Sequence, residues 1–279
     1  MYIESIKGTD CLRFSNLAAC SGLAHGIFFR RQCLAGDKSF NVALTHGPDR
    51  RAAVQNRSII KDCLNGKRLF SVNQVHGKNI VVLKKGMEKD TIGNEDICAD
   101  AVISDIPMVD VMIMTADCQA VMLYDPALRV CANIHSGWRG SIQNIIAGTI
   151  NAMKEHFGTD PAALLAGIGP SLGPCCAEFV NFKQELPSSF WHFHCPAPER
   201  VTIKTKNNGV PEKKIGQEKS GPCFNFWAAS VDQLCSAGVL RENIETSGIC
   251  TRCNPHLFFS YRKSGTSMRF ANVIGIRTS

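Results

Sequence analysis

The sequence predicts one α+β domain spanning residues 1–279. Three observations carry this expectation. Four short apolar runs crowd between Ala101 and Ile134, bounded by Asp and Pro turns as buried sheet strands are. Longer stretches with apolar residues on one side, Trp138–Phe157 and Asn225–Ala237, read as helices outside that block. No repeat or low-complexity tract divides the chain, and 279 residues can bury one substantial core.

The elements follow in order. The first 70 residues mix short strand-like pieces with turns, and Asn41-Val42-Ala43-Leu44 reads as a strand end. Pro48-Asp49 opens a helix that runs to Cys63. Leu69–Val75 is a strand leading into His76, and Ile80–Leu83 is another. Lys84–Cys98 is polar and loop-like. The central strands are Ala101–Ser104, Val111–Met114, Ala120–Tyr124 and Val130–Ile134. Trp138–Phe157 is one helix, with Ile142, Ile145, Ile146, Ile150 and Met153 on its apolar side. Leu164–Ile168 is a strand feeding the turn Gly169–Pro174, with a helix from Cys175. Residues 184–222 lose periodicity and are rich in lysine, an irregular excursion from the main body. The helix Asn225–Ala237 stops at Gly238. Phe258–Arg262 and Phe270–Ile276 are the closing strands.

Composition narrows the function classes. A formal net charge of +7 favours anionic ligands such as phosphate. The basic residues are scattered, with no arginine-rich arm, so no dedicated nucleic-acid-binding role is expected. No run approaches the ~20 apolar residues needed to span a membrane. Met1–Lys7 lacks the apolar core of a signal peptide, so a cytoplasmic location with reduced thiols is expected. Most of the 14 cysteines then read as small buried hydrophobes.

Three frames place metal-competent side chains where an apolar run meets a turn. They are Asn73-Gln74-Val75-His76-Gly77, Thr115-Ala116-Asp117-Cys118 and Ile134-His135-Ser136-Gly137-Trp138-Arg139-Gly140. One thiolate and two neutral imidazoles suit Zn²⁺ and also accept Cu²⁺. Three protein ligands leave a fourth position open, which is what makes such a site catalytic. Cys118 and His135 equally meet the minimum for a Cys–His nucleophile pair, so the two chemistries compete for the same side chains.

Other motifs read more plainly. Cys250-Thr251-Arg252-Cys253 has no second CxxC to complete a metal site and is read as structural. His192-Phe193-His194-Cys195 falls in the irregular excursion and is read as chance. Gly167–Pro174 lacks the Lys-Ser/Thr of a P-loop and is read as a tight turn. The helix start after Gly137-Trp138-Arg139-Gly140 is the better anion site. Arg57, Arg262 and Arg269 are candidate phosphate or ribose contacts, with Arg262 first, because Phe258, Phe259 and Tyr261 are expected to bury part of its stem.

Five motifs stand in order: Gln-Val-His-Gly, Thr-Ala-Asp-Cys, His-x-Gly-Trp-Arg-Gly, Gly-Pro-x-x-Gly-Pro-Cys-Cys and Cys-Thr-x-Cys-x-x-x-x-Phe-Phe-Ser-Tyr-Arg. On these the chain resembles the bacterial purine nucleoside phosphorylase family long described as laccase-like polyphenol oxidoreductases, from about Asn41 to Ile276. The resemblance implies an α+β fold with mixed β-sheets flanked by helices, related to the catalytic domain of cytotoxic necrotizing factors. It implies zinc on His76, Cys118 and His135, and phosphorolysis of adenosine, inosine, guanosine and methylthioadenosine, with adenosine deamination as a second activity. Asn41, Arg57, Arg139, Arg262 and Arg269 are then the expected substrate and phosphate contacts, in a monomer or small homo-oligomer. Two departures stand out. Ser136 replaces a common Ala, and Thr266-Ser267-Met268-Arg269 stands where Thr-Gly-Arg is usual, leaving the role of Arg269 open. The 184–222 segment is longer than usual. The rival readings are a copper-dependent polyphenol oxidase, a Cys–His hydrolase or deamidase, and a non-catalytic protein stabilised by zinc. Multicopper chemistry needs many histidine ligands, and eight scattered histidines argue against it.

Overall fold

The computed structural model describes residues 1–278 other than 46, 87–95, 197, 199, 206–210 and 217–221. In chain order the strands are β1 Tyr2–Ile6, β2 Thr9–Arg13, β3 Leu23–Phe28, β4 Arg68–Ser71, β5 Ile80–Leu83, β6 Ala101–Ser104, β7 Val109–Thr115, β8 Gln119–Asp125, β9 Val130–Ser136, β10 Leu165–Ile168, β11 His194–Cys195, β12 Arg200–Thr205, β13 Pro211–Gly216, β14 Cys223–Phe224, β15 Ile244–Thr246 and β16 Phe270–Ile276. The α-helices are α1 Ser15–Ala18, α2 Arg50–Cys63, α3 Trp138–Ile142, α4 Ile145–Phe157, α5 Phe182–Glu185, α6 Phe226–Ser236 and α7 Tyr261–Ser264.

Strand alternation builds the layers, because successive side chains point to opposite faces. One six-stranded sheet runs β1-β2-β3-β16-β7-β4 and the other β15-β10-β8-β9-β6-β5. Both are mixed: β4–β7, β5–β6 and β10–β15 pair in parallel and the other neighbours antiparallel. Val111 and Ile113 of β7 meet Met122 and Tyr124 of β8 in the core between the sheets. Their alternates turn outward. Met112 packs with Ile60 and Cys63 of α2, while Val121 and Leu123 pack with Ile146, Ile150 and Met153 of α4 and Leu234 of α6. The result is helix, sheet, sheet, helix. Asn133 ties the sheets through polar contacts: its Nδ2 donates to the carbonyls of Val111 at 3.0 Å and Asn272 at 2.8 Å. No helix among the described residues is long and apolar enough to cross a membrane.

The α+β architecture with mixed sheets is as expected, and the central strands lie where the apolar runs put them. Helix α2 begins after Asp49, whose side chain accepts from the Ala52 amide at 3.0 Å, an N-cap. Several expected elements differ. Trp138–Phe157 is two helices, because Asn144 adopts φ 53° and caps α4 through the Ala147 amide. Phe258–Arg262 is no strand. Ser260 caps α7, so Phe258 and Phe259 enter the core while Tyr261 and Arg262 stay exposed. Asn41–Leu44 lies outside the sheets, since the Asn41 side chain bonds the Ala43 amide locally. The strand expected over Leu69–Val75 stops at Ser71. No helix starts at Cys175, where only a turn closes, from Cys176 and Ala177 onto the Gly173 carbonyl. Among its described residues the 184–222 excursion contains regular structure that its composition did not suggest. It holds the β12–β13 hairpin, and Leu186, Phe190 and Phe224 form a buried cluster joined by Phe182. Most of the loop expected over Lys84–Cys98 lies outside the described residues.

Candidate active site

Two chain crossings and the end of one strand bring the metal-competent side chains together. His76 lies on the passage from β4 in one sheet to β5 in the other. Cys118 ends the three-residue passage Ala116-Asp117-Cys118 from β7 to β8. His135, near the end of β9, faces Ala120 across the β8–β9 pair, next to where Cys118 enters. Cys118 Sγ stands 3.8 Å from His76 Nε2, and the three ligand atoms lie within 4.8 Å of one another. Gly137 leaves room for their approach. A Cβ there would stand 3.0 Å from His76 Cδ2 and 3.2 Å from Cys118 Sγ.

Asp100 organises the cluster from behind. It is fully buried, accepts from the backbone amides of His76 at 2.9 Å and Gly77 at 2.7 Å, and bonds His135 Nδ1 at 2.8 Å. The amide bonds hold His76 in its left-handed conformation, φ 60°. The bond to Nδ1 leaves His135 Nε2 for a metal, the usual carboxylate–histidine arrangement. Burial pushes the Asp100 carboxyl up, but His135 and the two amides outweigh it and hold its pKa below the ordinary value.

The same geometry activates the thiol. Burial raises the Cys118 pKa, and His135 with His76 outweighs it, bringing it from 9.0 down to about 6. Burial lowers His135, and Cys118 with Asp100 brings it up to about 9. In metal-free protein Cys118 is therefore a thiolate beside an imidazolium between these two values. Alkylation of Cys118 in chelated protein should rise through pH about 6 and level off by pH 7–8. A midpoint near ~8.5, that of an ordinary thiol, would remove this assignment.

The cluster opens into a cavity of about 1000 Å³. Of the arginines expected to contact substrate, Arg262 and Arg269 line it, and Arg57 and Arg139 are not among its lining residues. Arg57 is spent on the Val42 carbonyl, the Ser71 hydroxyl and the Met114 sulfur. Arg139 is exposed and stacks on Trp138 with its guanidinium carbon 5.1 Å from the ring centre. Arg262 lines the cavity but is exposed, contrary to the expected burial of its stem. Arg269 is half-buried and fixed: its Nη1 donates to the carbonyls of Thr266 at 3.0 Å and Met268 at 2.9 Å. Burial lowers the Arg269 pKa, while Cys118 and Asp117 nearby oppose the shift. Asn41 is buried away from the cavity lining, and its Oδ1 accepts from the Arg269 amide at 2.9 Å. Asn41 thus positions Arg269.

Sequence reasoning missed Asp100, Arg50, Gln74 and the aromatic wall of Phe179 and Phe226. All of these but Asp100 line the cavity. The one available signal for Asp100 was an acidic residue immediately before the apolar run Ala101–Ser104.

Residues 24–277 match the family described as multi-copper polyphenol oxidoreductase laccase. The chain belongs to this family. The match runs through the 184–222 excursion. Relatives in this laccase-like family carry the name purine nucleoside phosphorylase. That of Clostridium acetobutylicum is 31% identical over 230 residues, covering 82% of this chain and 83% of the relative. That of Bacteroides thetaiotaomicron is 26% identical and 94% of each chain is covered. Purine nucleoside phosphorylase LACC1 of Mus musculus is 26% identical, and the matched region spans 43% of that longer protein. Among solved structures, YlmD from Geobacillus stearothermophilus shares the fold with a TM-score of 0.75 at 24% identity, over 99% of each chain. Among the described residues, the metal-competent groups are His76–Cys118–His135 and a separate four-cysteine group. That donor set fits a single ion in the cavity and has too few histidines for several coppers.

Proposed function

We propose that this chain cleaves purine nucleosides with phosphate at a single zinc ion held by His76, Cys118 and His135. The products are free base and ribose 1-phosphate, or its methylthio analogue from methylthioadenosine, and adenosine deamination is a second activity. One observation carries the reading: the three-ligand cluster opens onto a cavity lined by Arg50, Arg262, Arg269 and several aromatic rings. The relatives named purine nucleoside phosphorylase support it. When bound, the ion supplies Lewis acidity and an open coordination position.

The chain's own residues supply the rest. Arg269, held by two carbonyls, is the anion clamp for phosphate, and Arg262 adds charge from the exposed part of the cavity lining. Trp138, Phe179 and Phe226 line the cavity and offer aromatic surface to a purine. Asp117 anchors the wall: its carboxylate accepts from Thr251 Oγ1 at 2.6 Å and from the Arg262 amide at 2.6 Å. In phosphorolysis a phosphate oxygen bonds to the ribose C1′ and the purine leaves with the electrons of the glycosidic bond, so no oxidant is needed.

The Cys118 thiolate beside His135 is what favours the rival Cys–His hydrolase. Both are tested by incubating zinc-loaded protein with adenosine, with and without phosphate, and measuring adenine, ribose 1-phosphate and inosine. Base release that depends on both phosphate and zinc is expected. Absence of phosphate-dependent release from zinc-loaded protein sinks the proposal. Oxygen uptake on phenols by copper-loaded protein would instead support the polyphenol oxidase.

A further inference from the structure

We propose a second metal site, a structural tetrathiolate that holds one Zn²⁺ between Cys175, Cys176, Cys250 and Cys253. The four sulfur atoms come from two loops about 75 residues apart in sequence and lie within 4.8 Å of one another. Cys175 Sγ and Cys176 Sγ stand 3.6 and 3.5 Å from Cys253 Sγ. Zinc–sulfur bonds of ~2.3 Å on a tetrahedron place neighbouring sulfurs ~3.8 Å apart, so the thiols already stand at the spacing one ion needs. A disulfide would require ~2.05 Å, and no pair among the described residues is joined. An iron–sulfur cluster, whose irons each take their own thiolates, would spread the four sulfurs further than they stand.

The backbone is built to bring these loops together. Ser171 and Cys250 form a parallel bridge, with the Ser171 amide donating to Ile249 and the Thr251 amide to Ser171. Gly173 permits the approach, because a Cβ there would lie 3.0 Å from Cys250 Cβ and 2.7 Å from the Trp227 ring. Cys175, Cys176 and Cys250 are buried, and Cys253 is half-buried. Their apolar neighbours are few, Leu172 and Trp227, so four sulfurs meet largely each other. A tetrathiolate of zinc carries net negative charge, and Arg252, which stands between the two cysteines of the CxxC, places a positive charge beside it. Position explains purpose. Thr251, between the two cysteines, holds Asp117, the neighbour of Cys118, while Leu172, Ala177 and Glu178 flank the paired cysteines and line the cavity. The second ion would rivet the cavity wall without touching substrate.

The test uses full-length protein, purified without chelator, and counts metal by mass spectrometry of the ions. About two zinc ions per chain are expected in the unaltered protein. About one should remain in the double variant His76→Ala, Cys118→Ser, where the cysteine cluster is intact and the active-site ligands are gone. Cobalt exchanged into that variant should show intense visible bands with thiolate-to-metal charge transfer, the signature of a tetrathiolate. These bands should vanish in Cys250→Ser, Cys253→Ser. Should that last variant fail to fold, the first still decides. Metal-free His76→Ala, Cys118→Ser protein, an iron-only ion, or a disulfide among the four cysteines on peptide mapping would each overturn the proposal. None of these outcomes depends on nucleoside turnover, so the two readings fail separately.

Discussion

Cys118→Ala protein should lose the ion of the His76–Cys118–His135 centre and retain its fold, with phosphorolysis down by about a thousandfold or more. The magnitude follows from the several kcal/mol that a catalytic metal contributes, at ~1.4 kcal/mol per tenfold. Cys118 supplies the one anionic ligand, and a site left with two neutral imidazoles binds zinc weakly. The fold should survive because Cys118 is only half-buried and belongs to a turn, not to the core between the sheets. Metal analysis, circular dichroism and the phosphorolysis assay are read on the same preparation. Full activity in a variant with an empty centre would transfer the chemistry elsewhere in the cavity. Loss of activity with the metal still bound would favour nucleophilic catalysis by the thiol.

Arg269→Lys should lower phosphorolysis by about 10–100-fold while leaving adenosine deamination near its starting rate. Lysine keeps the charge but loses the planar fork, and a charge-assisted hydrogen bond is worth about 1.5–3 kcal/mol. Deamination consumes water and needs no phosphate, so it reports whether the rest of the cavity is intact. Arg262→Lys should have the smaller effect. Its side chain is exposed, so it must be ordered on binding, whereas the Arg269 side chain is already held by two carbonyls. Ribose 1-phosphate and inosine are measured side by side from adenosine. A parallel fall in both for Arg269→Lys would make Arg269 a support of the fold or of the shared site and not the phosphate clamp.

Much of this was legible in the residues because burial leaves a periodic trace. The four apolar runs from Ala101 to Ile134 correspond to β6–β9, and the helix opened by Asp49 ends at Cys63 as its pattern required. Cys118 and His135 converge because they lie beside the ends of these runs, whereas His76 sits beyond the end of β4 and is held in place by Asp100. What the sequence hid was set by one local cap and by contacts distant along the chain. Ser260 as a helix cap competes with an aromatic run that reads as a strand, and the cap decides. Arg262 and Arg269 look alike in sequence, yet Asn41, 228 residues away, fixes only the second. Cys250 and Cys253 lack a second CxxC, and the cysteines beside them are two adjacent ones that the Ser171–Cys250 bridge brings near.

Two of the crossings from sheet to sheet bear on how the protein folds. His76 lies on one crossing and Cys118 on the other, so their side chains can meet only after the sheets have packed. An unfolded chain therefore offers the ion no preformed pocket, and contacts this distant in sequence form late. Ion capture is then expected to follow the rate-limiting step of folding. Zinc should leave the refolding rate unchanged and slow unfolding in proportion to its affinity, a separation that stopped-flow measurements with and without metal read directly. The active-site ion would be a latch closed last, governing how long the native state lives and not how quickly it is reached.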